Sequence, residues 1–434
     1  MAQELEVRVK AALYGGNFAC LPGDPQPFVL PGELVMLASD APVTVLEPAA
    51  SRVEPHCPHF GVCGGCHYQH AAYPAQLEFK QQILRTILTD SGLRDIPQLS
   101  VHQGPEWAYR NRIRLRVEPL GDGFELGYSE RGANVFLPIR TCPLAAPLLW
   151  RAAEALVSSA SDPLSRRWLS AISEVELFCL PDESKLQMQF FLRVPGPAHG
   201  DASAFPRFCE RLRSVLPELH GAGAEPDPEL SRRNRRAFSE SAWGPPGLAY
   251  PVGGRTYWVN RGAFFQVNRF LVDRLVELVC EGQRGSLAWD LFAGVGLFTA
   301  ALAETFERVV AVEGAEASAA ALVIAGKGTK GRPTFTAIQS STLDFLRAAE
   351  HQRDQPDLIV LDPPRAGLGV EGSAVLARIA APKLVYVSCD PVTLARDLAI
   401  LTRKDYRIQS VALVDLFPQT FHLETVVHLE RRLV

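Results

Sequence analysis

Hydrophobic and polar positions change rhythm twice along this chain. Up to residue 49 they alternate in short runs, LEVRVKAAL, PFVLPGELVMLA and PVTVLEP, separated by Gly and Pro. Period-two alternation broken by turn formers predicts half-buried strands, here a small β module over residues 1–49. A helical period follows through AAYPAQLEFKQQILRTILTDSG and stops at Gly92. Alternation returns in RIRLRVEP, FELGYSE and NVFLPI, with GDG and RGAN as turns. A helix over LLWRAAEALVSS and strands at VELFCL and LQMQFFLRV come next, and the Pro-, Gly- and Glu-rich residues 216–247 predict an exposed loop or insertion. From about 256 strands and helices alternate: SLAWDLFAGVGLFTAALAE, RVVAVEG with ASAAALVIAG, then DLIVLDPPR, LVYVSCDP and ETVVHLERR. That grammar predicts a parallel α/β sheet. The expected order is a β module (1–49), a central α+β region (50–145 continued by 146–255) and an α/β domain (256–434).

Composition narrows the class. With 434 residues and 47% hydrophobic content the chain can bury more than one core. It has no apolar run long enough to span a bilayer, and its start, MAQELEVRVK, has no apolar signal region. The expectation is a soluble cytoplasmic protein with no membrane partner. A formal charge of −4 speaks against a generally nucleic-acid-binding surface, so any such role rests on two local basic runs, YRNRIRLR (109–116) and SRRNRRAF (231–238).

Nine cysteines, an odd number, with three inside ten positions, indicate metal or catalytic use in a reducing compartment rather than a disulfide framework. Cys57, Cys63 and Cys66 form C-x5-C-x2-C in HCPHFGVCGGCHYQH, and Cys142 in IRTCPLA is the candidate fourth ligand. Three close cysteines plus a distant one followed by proline is an iron–sulfur pattern. Zinc is the alternative, with His56, His59, His67 or His70 as further ligands.

The chemistry concentrates in LVYVSCDPVTLARDL (384–398). Leu384 to Val387 read as a buried strand, Asp390 as the cap of the following helix and Pro391 as its first turn. Cys389 then stands at the hinge, where backbone N–H groups and the helix dipole favour a thiolate. A lone cysteine is ordinarily inert packing; its companions decide otherwise. DLFAGVG (290–296) is a glycine turn after a strand, and Glu313 at the next strand end suits ribose hydroxyls. Thr299 replaces the third glycine of the dinucleotide fingerprint, which favours S-adenosylmethionine over NAD. Asp362 in DPPR ends another strand, and ligands in such sheets lie outside the carboxyl ends of strands. Arg365 occupies the place of the aromatic that methylation of an exocyclic amine uses. A thiolate beside a methyl donor suggests uracil carbon 5 instead: addition at carbon 6 makes carbon 5 nucleophilic, and a base later removes its proton. Glu424 is the expected base, with His422 the alternative. In GAFFQVN (262–268), Phe264 or Phe265 can stack on a base and Gln266 can bond a uracil edge.

GAFFQVN, DLFAGVG, LDPPRAGL, YVSCDPVTLARDL and FPQTFHLETV, in this order, resemble the RNA uracil-5-methyltransferase family. The resemblance implies a class I S-adenosylmethionine-dependent, Rossmann-like domain, with Cys389 as nucleophile and Glu424 as base. It also implies Gln266, Phe292, Gly294, Glu313 and Asp362 around the cofactor, and a [4Fe-4S] cluster on Cys57, Cys63, Cys66 and Cys142. The N-terminal strands resemble a shortened TRAM module. The implied substrate is a flipped-out uridine of 23S ribosomal RNA, with transfer RNA as the alternative, acted on by a monomer. Leu297 stands where many members have Asn, and Ser341 where an acid is common. Two other readings are a radical enzyme and a non-catalytic RNA-binding protein on the same fold.

Overall fold

The structure, a computed structural model, describes residues 4–38, 41–193, 203–227, 240–326, 335–350 and 355–432. Its two compact units do not follow chain order. The first comprises Met1–Gly61, Gly65–Glu106 and Asp273–Val434; the second comprises Val62–Gly64 and Trp107–Val272.

The first unit is built on an eight-stranded sheet: β1 (Leu99–His102), β2 (Gly285–Leu291), β3 (Phe306–Glu313), β4 (Thr336–Gln339), β5 (Leu358–Leu361), β6 (Lys383–Ser388), β7 (Tyr406–Val414) and β8 (Glu424–Arg431). The order across the sheet is β4-β3-β2-β5-β6-β8-β7-β1. Strands β2 to β6 are parallel. β5, LIVL, is buried throughout, as a strand covered on both faces must be. The expectation of a wholly parallel sheet needs correction at β8, which runs antiparallel to β6 and β7. The link from β7 to β8 holds no helix, and two consecutive strands joined without a crossover pair as a hairpin. β7 was not legible in the sequence because its first half alternates while its second half is continuously buried. β1 closes the far edge, pairing parallel with β7 from Leu99 opposite Val411.

Helix α1 (Tyr73–Asp90) forms where the helical period predicts it, with proline in its first turn. Ahead of it, strands Leu5–Arg8, Leu34–Ala38 and Ala41–Glu47 form an antiparallel sheet, and Ala11–Ala12 pairs with Phe18–Ala19. Their apolar faces (Val7, Phe18, Val35) share one core with Leu384 and Tyr386 of β6. Buried Glu33 fastens this segment by accepting from Leu30 N–H at 2.7 Å, Ala49 N–H at 3.1 Å and Arg52 Nη2 at 2.7 Å.

The second unit carries a seven-stranded sheet in the order Ser241–Trp243, Leu219–Pro226, Leu186–Leu192, Ile172–Cys179, Arg112–Leu120, Gly123–Ser129, Phe136–Pro138. Helices Pro147–Ser158, Pro163–Ala171 and Ala204–Val215 contribute to its core. Residues 216–247 are thus not one long loop: Leu219–Pro226 and Ser241–Trp243 are paired strands, and residues 228–239 lie outside those described. Small residues (Gly221, Ala222, Gly223, Ala224) made that strand read as a loop; they allow close approach, and a Cβ at Gly221 would stand 2.4 Å from the Pro245 carbonyl.

Candidate active site

Three catalytic candidates meet at one edge of the first unit's sheet. Asp362 follows β5 and Cys389 follows β6, both at carboxyl ends. Because β8 is antiparallel, its first residue, Glu424, lies at that same edge, its neighbour Thr425 paired with Ser388. Asp390 caps helix α2 (Pro391–Arg403) through Oδ1, which accepts from Val392 N–H at 3.0 Å and Thr393 N–H at 2.9 Å. The cap leaves Oδ2 available to Tyr14, whose hydroxyl donates to it at 2.9 Å.

The electrostatics differ from the sequence expectation. A helix N-terminus was expected to favour the thiolate of Cys389, yet burial, followed by the charges of Glu424 and Asp362, pushes its thiol up to about 12. Arg365 pulls in the opposite direction, and Asp390 adds to the rise. Burial raises Asp362 to about 7. Glu424, 3% exposed, is held well above the carboxylate range by burial and then by Asp362. Two acids sharing a low-dielectric site cannot both ionise cheaply, so each strengthens the other's hold on a proton. His422, the alternative base, points to a different partner: its Nδ1 lies 3.1 Å from Arg365 Nη2.

The glycine turn has the shape of a ligand cradle. Gly294 and Gly296 have φ of +56° and +90°, and a Cβ on Gly296 would come within 2.8 Å of Leu322 Cδ1. Phe292 is left-handed too, at φ +61°. Glu313 lies across the turn, accepting from Gly294 N–H at 2.8 Å and from Ala315 N–H at 2.6 Å. Thr299, in the place of the third glycine, donates to buried Asp290, whose carboxyl burial raises to about 7. Leu297 is buried, while Ser341 caps the helix Thr342–Ala349 by accepting from Asp344 N–H at 3.1 Å.

The family described as tRNA (Uracil-5-)-methyltransferase matches residues 249–432. The 23S rRNA (uracil(1939)-C(5))-methyltransferase RlmD of Alkalilimnicola ehrlichii is 32% identical over 93% of this chain and 90% of its own. That of Dechloromonas aromatica is 33% identical over 92% and 93%. The chain belongs to the RNA uracil-5-methyltransferase family. In fold, it resembles the Pyrococcus abyssi tRNA (uracil-54, C5)-methyltransferase solved with S-adenosyl-L-homocysteine, with a TM-score of 0.74, 23% identity and coverage of 98% and 100%. The expectation of a class I, Rossmann-like methyltransferase is met.

Other candidates of this family member lie in the second unit. Gln266 is buried there, its backbone carbonyl accepting from Asn111 Nδ2 at 3.1 Å. Phe265 is core, 4.6 Å between ring centroids from Tyr250, whereas Phe264 is 65% exposed. The basic run 109–116 is not a bare cationic patch. Arg112, Arg114 and Arg116 pair with Glu176, Glu174 and Glu118 and lie over Phe178, Phe191 and Phe136. The second basic run falls outside the described residues. Among the described residues no three His, Cys, Asp or Glu side chains form a ready metal group. Within the second unit, however, Cys63 and Cys142 both act on the buried hydroxyl of Tyr128. Arg110, which also senses Cys142, holds a buried Nε–H without a hydrogen-bond partner among the described residues. Tyr14, beside Asp390, carried no signal in the sequence: a tyrosine before two glycines reads as an ordinary turn.

Proposed function

We propose that this RNA methyltransferase transfers a methyl group from S-adenosylmethionine to carbon 5 of a uridine through a covalent adduct on Cys389. The observation that carries this is the meeting of one cysteine and two buried acids, Asp362 and Glu424, at a single sheet edge beside a glycine cradle. The Cys389 thiol gives its proton to solvent, and the thiolate Sγ adds to carbon 6 of uracil while the electrons of the 5,6 double bond move toward carbon 5 and oxygen 4. Carbon 5 takes the methyl group, and the donor sulfur keeps the bonding pair as the neutral thioether. Glu424 removes the carbon 5 proton, the double bond re-forms, and the thiolate leaves. Arg365 favours the thiolate and Asp362 raises the proton affinity of Glu424. Glu313 and Phe292 flank the cradle in the first unit, and Gln266 is assigned to the uracil edge and the cofactor.

The names of the relatives favour a uridine of 23S ribosomal RNA as substrate, and the tRNA enzyme of like fold makes transfer RNA the alternative. We assign Cys57, Cys63, Cys66 and Cys142 to a [4Fe-4S] cluster that is structural and takes no part in the transfer. Four thiolates suit iron, and the Arg110 Nε–H, without a partner among the described residues, suits an electron-rich sulfur neighbour. Anaerobically purified protein is expected to be brown, with about four irons per chain; a colourless zinc protein would refute the assignment. The N-terminal strands are proposed to grip RNA in the manner of a TRAM module.

The deciding experiment is Glu424→Gln. It should add Cys389 to RNA and transfer methyl but stall before elimination, so a denaturation-resistant protein–RNA adduct accumulates. Persistent turnover with no adduct would remove Glu424 as base. Mapping 5-methyluridine in ribosomal and transfer RNA from cells with and without the gene identifies the substrate.

A further inference from the structure

Glu424 is not gripped by its carboxylate. Among the described residues burial and the charge of Asp362 govern its proton, and no donor bonds to it. A base gains from this, because donors would lower its basicity, but its position must then come from its backbone. The connection from Asp415 to Leu423 supplies that position, and it is fixed at Gln419. The Gln419 N–H donates to Gln76 Oε1 at 3.0 Å, and its carbonyl accepts from His67 N–H at 2.9 Å and Tyr68 N–H at 3.1 Å. Its side chain accepts from Gln76 Nε2 at 2.9 Å and donates to Glu106 Oε2 at 2.8 Å. Behind it, Lys80 Nζ donates to Asp415 Oδ1 at 2.6 Å and to the Phe417 carbonyl at 2.9 Å, and Tyr73 donates to Asp415 Oδ2 at 2.9 Å. Gln76, Lys80, Asp415 and Gln419 are each at most 1% exposed. Gln419 has φ +68°, a conformation a non-glycine residue keeps only where its surroundings over-determine it.

We propose that the buried Gln76–Gln419 couple, seated on the Lys80–Asp415 pair, is a positioning device that aims Glu424 at the carbon 5 proton after methyl transfer. This rests on the covalent reading above. Neither glutamine touches substrate; both act through the backbone that leads to the base. The polar network is also the first thing the chain meets after Cys66, since His67 and Tyr68 supply two of its donors.

The test uses the full-length enzyme with 23S rRNA from cells lacking the gene, unmodified or containing 5-fluorouridine. Fluorine cannot be taken by a base, so fluorinated RNA traps the adduct whether or not Glu424 is in place. Gln419→Gly removes the side-chain bonds and suits the left-handed backbone, so it should fold; Gln76→Leu is the second variant. Both should capture fluorinated RNA within about two-fold of wild type. On unmodified RNA both should build up the denaturation-resistant adduct, with release slowed on the order of 10- to 100-fold. Adding either change to Glu424→Gln should slow release no further. If both variants trap fluorinated RNA normally and turn over unmodified RNA without adduct build-up, the positioning role is wrong and the covalent reading stands. If wild type does not trap fluorinated RNA, the covalent reading itself fails.

Discussion

Cys389 should exchange slowly with a small disulfide reagent in the absence of RNA, and the delay can be worked from its surroundings. Its thiol is pushed up to about 12 from an ordinary 9.0 by burial, Glu424 and Asp362. At pH 8 that reduces the thiolate from about one molecule in ten to about one in 10⁴, a loss of nearly 1,000-fold. A more basic thiolate is also a better nucleophile, by a Brønsted slope of about 0.4–0.5, which over this shift returns roughly 15- to 30-fold. The net expectation is exchange about 30- to 60-fold slower than an unhindered thiol at pH 8. Each pH unit should raise the rate about tenfold until the thiol titrates. Peptide-resolved mass spectrometry separates Cys389 from the other cysteines. Glu424→Gln removes the largest opposing charge and should speed exchange; Arg365→Ala removes the cation that favours thiolate and should slow it. A wild-type rate that levels off below pH 9, unmoved by Glu424→Gln, would show that the carboxylates do not hold the thiol neutral.

Two further outcomes concern stability. Lys80→Met leaves Asp415 buried with Tyr73 as its remaining side-chain donor among the described residues, and breaking a fully buried pair costs about 3–5 kcal/mol. Thermal unfolding should shift down by about 6–20 °C, and a change within 1–2 °C would mean the pair is already neutralised. For Glu33, burial raises the carboxyl, but the bonds from Arg52, Ala49 and Leu30 outweigh it and hold it below the ordinary value. Its contribution is therefore present above about pH 4.5 and lost as pH falls through the lower folded value. Arg52→Ala should destabilise by about 2–3 kcal/mol at pH 7, with the difference shrinking in acid; a difference that grows toward pH 3 would contradict the assignment.

Much of this was legible in the order of residues. The junction at Cys389 could be read because strand, cap and first-turn proline are each local signals, and all three appear where expected. Glu424 could be singled out because an acid opening an apolar strand is costly without a purpose. What the sequence could not convey was the sign of the thiol's shift. The helix terminus is local, but the opposing carboxylates arrive from β5 and β8, and their sum depends on packing. The basic run at 109–116 misled for a similar reason. Its glutamate partners at 174 and 176 belong to the neighbouring strand, so charge counted along the chain overstated charge on the surface. The Gln419 network was silent because Gln76 and Gln419 are distant in sequence, and Gln419, though part of FPQTFHLETV, gives no local sign of what it bonds.

The edge strand β1 sets a schedule for biosynthesis. Leu99–His102 leaves the ribosome early, yet its pairing partner β7 is made roughly 300 residues later, about 15–60 s at ordinary elongation rates. Helix α1 and the N-terminal strands must wait equally long for the apolar faces of β6 and α2. During that interval an unpaired strand edge and an uncovered apolar face are exposed, the features chaperones bind. Residues 249–432 expressed alone would meet the converse problem, emerging with β7 as a naked edge, so the catalytic half is expected to aggregate unless residues 65–106 are supplied in the same chain or alongside it.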